Sequence, residues 1–250
     1  DPRAVTTAMV RRFESLGGKI SYSSKVQISE SSGEVCVKGF EAKYVINSAG
    51  AQSDRLARGL GMAKDYAMVP FMGIYRSAEA KKLPLKRLVY PVPHQINPFL
   101  GVHFTLTLDG NVKIGPTAIP ILGREQYSLA SGWSLSDIGQ ALVATNALIR
   151  GSAHSFSDIL KCELPKLKQS LLVKESATLV PSARQIKEWK KKPPGIRSQL
   201  VNIKSGRLEQ DFIVENFHNS THILNAVSPG WTSAIPFGRW VTTEKVLPNI

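Results

Sequence analysis

Short strand-like alternations set among stretches of helical period predict an α+β fold for this chain of 250 residues. Two patterns carry that expectation. Val102, Phe104, Leu106 and Leu108 alternate with His103, Thr105 and Thr107, and Asp109-Gly110 then supplies a hairpin turn into Asn111–Gly115. Val5, Ala8, Met9, Phe13 and Leu16 recur at helical spacing with Arg11 and Arg12 outward, and helical period returns over residues 135–172, interrupted by Gly151 and Pro165.

In order along the chain, Gly17-Gly18 closes the first helix. Residues 20–28 and 34–40 read as strands joined through Ser31-Ser32-Gly33. Residues 43–50 read as a buried strand entering a small-residue turn, and Ser53-Asp54 caps a helix reaching Leu60. A second regime opens near Met68, with strands over 69–75, 88–90, 102–108 and 111–115. Residues 187–195, with Lys190-Lys-Lys192 and Pro193-Pro194, read as a basic loop. Residues 196–203 and 212–215 are expected strands, 222–227 another, and 232–246 a closing helix. The polar face holding His103 is either a ligand wall or plain solvent surface.

Composition narrows the classes. With 42% hydrophobic and 20% charged residues the chain is of ordinary globular type, which excludes disordered and collagen-like readings. No apolar run approaches the ~18 residues of a spanning helix. Cys36 and Cys162 make neither a disulfide framework nor a CxxC site, so a reducing compartment is expected. Lys and Arg total 32 against 19 acids, a net charge of +13, which calls for an anionic partner. P-loop, HExxH, GxSxG, GxGxxG and zinc-type spacings are absent, and no nucleic-acid-reading element accompanies the charge. Nucleic acid is therefore not expected as a partner. Metal ligation is not expected either.

Three features could carry chemistry. Ile223-Leu-Asn-Ala-Val-Ser-Pro-Gly-Trp-Thr-Ser233 is a strand ending in a turn that opens a helix, so N–H groups near Thr232 and Ser233 would face an anion; an ordinary connection reads the same way. His103 is a general base or a surface histidine. Arg197 is a carboxylate clamp or a solvated strand arginine.

Eight stretches, taken together, carry a resemblance. They are Val45-Ile-Asn-Ser-Ala-Gly-Ala-Gln-Ser-Asp-Arg-Leu-Ala57, Tyr90-Pro-Val-Pro93, Pro98-Phe-Leu-Gly-Val-His-Phe-Thr105, Asp109-Gly110 through Gly115-Pro116, Arg124-Glu-Gln-Tyr127, Gly195-Ile-Arg-Ser-Gln199, Asp211-Phe212, and Asn225-Ala226 through Thr232-Ser233. In order and spacing they resemble the FAD-dependent oxidoreductases of the D-amino-acid-oxidase (glycine-oxidase-like) superfamily, and in particular its L-2-hydroxyglutarate dehydrogenase/oxidase group. Residues 128–178 match weakly.

The resemblance implies a partial FAD-binding Rossmann-like domain, residues 1–66 and 215–250, interleaved with a substrate domain on a mixed, largely antiparallel sheet, residues 67–214. The GxGxxG unit that grips the FAD pyrophosphate would precede Asp1, so the chain reads as a C-terminal portion, inactive and a weak FAD binder by itself. The implied activity is oxidation of a 2-hydroxy acid, L-2-hydroxyglutarate to 2-oxoglutarate, by hydride transfer to flavin N5. The alternatives are an amine or amino-acid oxidase of the same superfamily and a non-catalytic anion-binding remnant. Implied cofactor contacts are Val26, Ala49, Gly50, Ala51, Pro229, Gly230, Thr232 and Ser233. His103 is the implied base with Tyr90 beside it; Arg197, Gln199, Arg124 and Tyr75 would bind the substrate. The electron acceptor is oxygen or a membrane quinone pathway, and the expected location is cytoplasmic or mitochondrial with peripheral membrane association open. The chain departs from the family at Met72-Gly73-Ile74-Tyr75, at Gly115-Pro116-Thr117-Ala118 and at Trp231, an indole expected close to the flavin.

Overall fold

Residues 1–92, 101–128, 131–151 and 153–250 are described by the structure, a computed structural model, without the side chains of 153–155. Pro93 and residues 98–100 of the resembling stretches lie outside the described residues.

Helix α1 spans Pro2–Ser15; Asp1 caps it by accepting from the Arg3 N–H at 2.9 Å, and Pro2 gives up no helical hydrogen bond at the first turn. A hairpin of β1 (Ile28–Ser31) and β2 (Glu34–Val37) turns on Ser32 and Gly33, both at positive φ, as a two-residue loop requires. The expected strand over 20–28 shrinks to its last residue: Ile20, Tyr22 and Val26 are exposed and have no apolar layer to pack on. Strand β3 (Val45–Asn47) follows, then α2 (Ser53–Gly59).

The middle of the chain builds a six-stranded sheet ordered β5-β6-β4-β8-β9, with β7 (Ile119–Pro120) also on β4. Its spine is β4 (Tyr66–Glu79), antiparallel to β8 (Lys190–Asn202) on one side and to β6 (Asn111–Gly115) on the other. Beyond these lie β5 (His103–Leu106) and β9 (Arg207–Leu208). The basic stretch expected as a loop is the first part of β8. Gly73 pairs with Gly195 and Tyr75 with Lys192, so β8 carries an extra residue at Pro193-Pro194, a bulge where prolines cost no ladder hydrogen bond. Lys190–Lys192 then pair with Ser77, Arg76 and Tyr75.

Helices α3 (Leu135–Gly151), α4 (Ala153–Glu163) and α5 (Gln169–Leu179) cover this sheet. Ala144, Ala147 and Leu148 of α3 pack on Ala67, Val69 and Phe71, while Leu172 of α5 packs with Phe104, Val112 and Ile114. Truncating a core phenylalanine such as Phe71 to alanine would cost about 3–5 kcal/mol.

A separate three-stranded sheet orders β10 (Ile213–Phe217), β11 (Ser220–Asn225) and β3, and β11 runs parallel to β3. Residues from near the two ends of the chain thus share one sheet. Helix α6 (Ala234–Val241) leaves β11 through a turn at 228–233, later than expected.

Candidate functional site

Two cavities meet where the sheets face each other. The smaller, about 450 Å³, is lined by His103, Tyr90, Tyr75, Arg197 and Gln199, with the 226–228 segment along its side. Four distant segments therefore bring five of the expected site residues together. The larger, about 800 Å³, is lined by Gly50, Ala51, Gly230, Phe212 and Phe237 among others. Ile196, Arg197, Ser198 and Ala226 border both. Among the described residues, no Asp or Glu lines either cavity.

His103 opens β5, on the same face as Thr105; opposite them stand Gly115 and Lys113. The neighbouring residues Phe104 and Ile114 are fully buried on the other face, which fixes the direction of the imidazole. His103 Nδ1 lies 2.9 Å from the Gly101 carbonyl. A carbonyl only accepts, so Nδ1 carries the proton and Nε2 keeps a lone pair. Tyr90 stacks on the ring at 4.5 Å between centroids. Burial pushes the His103 pKa down; the Gly101 hydrogen bond opposes this and the Lys113 charge adds to it. The side chain is therefore held neutral, as a base must be.

Arg197 lies on β8 opposite Phe71, and burial lowers its pKa. Burial likewise raises the Tyr75 phenol, so it stays a hydroxyl donor. Tyr75 fills a slot where side chains are missing: a Cβ on Gly115 would come within 2.9 Å of its ring. Gln199 lines the cavity, but its amide N–H donates to the carbonyl of Glu209, just past β9.

Arg124 is a correction. Expected to bind substrate, it lines neither cavity, and its side chain is only 2% exposed. The guanidinium grips Asp54 of α2 with both terminal nitrogens, the second at 2.9 Å, and donates to the Ala51 carbonyl. Its Nε lies 3.4 Å from Asp137 of α3, which Arg55 also meets, at 2.5 Å. The reason is chemical: Asp54 is fully buried and needs a cation, and Arg124 supplies it.

The expected cofactor residues divide. Gly50, at positive φ with open space where a Cβ would stand, lines the larger cavity with Ala51 and Gly230. Ala49, Pro229, Thr232 and Ser233 are chain neighbours of that wall without lining it. Ser233 departs from its expected role: its N–H donates to the Pro229 carbonyl at 3.0 Å, and its hydroxyl and that of Thr232 turn back to the same oxygen. Val26 is exposed, outside both cavities, and so is Trp231, whose indole was expected near the flavin.

Sequence reasoning missed Ser198, which borders both cavities, and Lys113, which lines neither but sits 4.4 Å over the ring of Tyr75. Counting outward from the Asp109-Gly110 hairpin puts Lys113 opposite Thr105, on the His103 face, so its signal was available. Ser198 carries no signal beyond its place in Gly195-Ile-Arg-Ser-Gln199. Among the described residues, no group of three or more His, Cys, Asp or Glu could hold a metal ion, and no helix is long and apolar enough to cross a membrane.

A family model described as FAD dependent oxidoreductase matches residues 1–244. The L-2-hydroxyglutarate dehydrogenase of Escherichia coli (strain K12) is 32% identical over 255 residues, covering 97% of this chain and 58% of that protein. The mitochondrial enzymes of that name from Caenorhabditis elegans and Homo sapiens are 32% and 28% identical, covering 97% and 98% of this chain and 59% and 57% of theirs. The chain thus spans less than two thirds of the length of each of these relatives.

Proposed function

The chain belongs to the family of FAD-dependent oxidoreductases, and from that premise we propose that it serves the oxidation of L-2-hydroxyglutarate to 2-oxoglutarate. The observation that carries this reading is the smaller cavity: a neutral imidazole and a half-buried guanidinium share a wall that, among the described residues, holds no Asp or Glu, beside a larger, small-residue chamber. The relatives' printed name supplies the substrate.

FAD fits the larger cavity. Gly50, Ala51, Ala226, Gly230 and Gly238 line it with little or no side chain, and Phe212 and Phe237 offer rings to it. Gly50, Ala51 and Gly230 would hold it, with Ala49, Pro229 and Thr232 alongside. When bound, FAD supplies the acceptor for the hydride leaving C2 of the substrate.

The residues of this chain do the rest. Arg197 would take the C1 carboxylate in a bidentate grip, placing C2 toward the larger chamber. His103 Nε2 would receive the hydroxyl proton as the hydride departs, with Gly101 holding the tautomer and Tyr90 the ring plane. The 1–66 and 215–250 segments would form the flavin side and 67–214 the substrate side. In support, β3 and β11 pair with each other while β4 to β9 make the other sheet.

The test uses the product of the complete reading frame containing these residues, supplied with FAD and a dye acceptor. L-2-hydroxyglutarate should be oxidised to 2-oxoglutarate in preference to sarcosine, glycine or proline. His103→Ala should lower kcat by about 10²–10⁴-fold. Preference for an amine, or no flavin reduction with any of these substrates, overturns the reading.

A further inference from the structure

We propose that Lys113 is the specificity residue of the smaller cavity, binding the second carboxylate of a dicarboxylate whose first carboxylate is held by Arg197. This rests on the functional reading above.

Lys113 stands on the polar face of β6, paired with Thr105, one step from the Gly115–His103 pair. Its ammonium sits 4.4 Å above the centre of the Tyr75 ring, and that ring is part of the cavity wall. The ring reaches from Gly115 to Gly195, two residues before Arg197, and a Cβ on Gly195 would stand 3.6 Å from its edge. Tyr75 thus stands between Lys113 and the stretch of β8 that leads to Arg197.

The charge around Lys113 is one-sided. It is half-buried, and burial lowers its pKa, with Lys192 adding to that and Asp109 opposing it. Among the described residues no carboxylate pairs with it. Asp109 accepts from Lys192 at 3.3 Å and from the Thr107 hydroxyl. A half-dehydrated ammonium held only by a ring face gains by meeting an anion. Tyr75 alone separates Lys113 from the smaller cavity, and among the described residues no Asp or Glu lines that cavity, so the anion must come with the ligand. A flexible four-carbon stem lets Lys113 leave the ring for that contact. A monocarboxylate would satisfy Arg197 alone and leave Lys113 where it is.

The experiment titrates the FAD-loaded product of the complete reading frame containing these residues with 2-oxoglutarate and with 2-oxobutyrate, the second lacking the distal carboxylate, and follows the heat of binding. The wild-type chain should prefer 2-oxoglutarate. Lys113→Met should weaken 2-oxoglutarate about 10- to 100-fold, the scale of a lost charged hydrogen bond, and move 2-oxobutyrate less than about twofold. Lys113→Arg should restore most of the preference. Lys192→Met, which removes a like charge nearby, should leave the ratio within about twofold, since that charge is part-exposed, screened and already paired with Asp109. Equal weakening of both ligands by Lys113→Met, no weakening of 2-oxoglutarate, or an equal effect of Lys192→Met overturns the proposal. If Arg197→Met abolishes binding of both ligands while Lys113→Met changes nothing, the functional reading stands and the role of Lys113 falls. A wild-type chain with no preference for the dicarboxylate overturns both.

Discussion

Helices α1 and α3 have similar lengths and the same apolar period, yet opposite fates. Helix α1 buries nothing: Val5, Met9 and Phe13 remain 45%, 43% and 49% exposed. Helix α3 buries Ala141, Ala144, Ala147 and Leu148, the last three against the β4 sheet. Its first turn is also anchored, since Ser134 accepts from the Asp137 N–H at 3.1 Å and Asp137 reaches Arg55 and Arg124. Periodicity tells which face of a helix is apolar; whether anything covers that face is decided by residues far away in the chain.

The sharpest way to break this contrast is to cut what anchors the covered region. Asp54→Ala leaves Arg124 buried without its bidentate partner, and should destabilise the chain by about 3–5 kcal/mol. Chemical denaturation would show it as a lower midpoint at unchanged slope. A loss below about 1 kcal/mol would mean that α2 and α3 are not joined through this pair.

A smaller effect separates the three-stranded sheet from the rest. His222 of β11 is fully buried, its Nδ1 3.1 Å from the Asn47 amide and its Nε2 2.9 Å from the Ser220 hydroxyl. The amide donates to Nδ1, so Nε2 carries the proton and the ring is neutral; burial pushes its pKa below the ordinary 6.5. The unfolded chain takes up a proton near that value and the folded chain refuses it. Stability contributed by the neutral ring is therefore complete above about pH 6.5 and lost as pH falls below it, by at most about 1.4 kcal/mol per pH unit. His222→Gln should flatten that acid limb in denaturation curves taken from pH 7 downward. An unchanged slope would show that His222 takes up its proton equally in the folded and unfolded chains, and that its burial does not shift it.

How much of this was written in the sequence depends on distance along the chain. The Ser32-Gly33 and Asp109-Gly110 hairpins and α1 rest on local chemistry and stand close to where the residues put them; α2 also stands close, but Ser53 and Asp54 lie inside its first turn instead of capping it, because Asp54 is turned to Arg124. The Lys190–Lys192 segment read as a loop because prolines and charges argue against a strand locally; its pairing with β4 is a tertiary event. His103, Tyr90, Tyr75 and Arg197 were nameable through resemblance and alternation, and the fold brings them to one cavity. Arg124 was misplaced for a physical reason. A carboxylate clamp and a buried structural ion pair use the same guanidinium, and only the burial of Asp54 tells them apart.

The smallest expected effect tests the uncovered helix itself. Replacing Val5, Met9 and Phe13 together by glutamine keeps helix propensity within a few tenths of a kcal/mol per residue while removing the apolar stripe. Because none of the three is buried, the denaturation midpoint should shift by no more than about 0.5 kcal/mol per site. What should change is self-association, since a contiguous apolar stripe favours contact between copies. Sedimentation velocity at increasing concentration would then show less oligomer in the triple variant than in the wild type. A loss of several kcal/mol would mean that α1 is packed in solution, and its difference from α3 would then lie in which partner covers it rather than in whether one does.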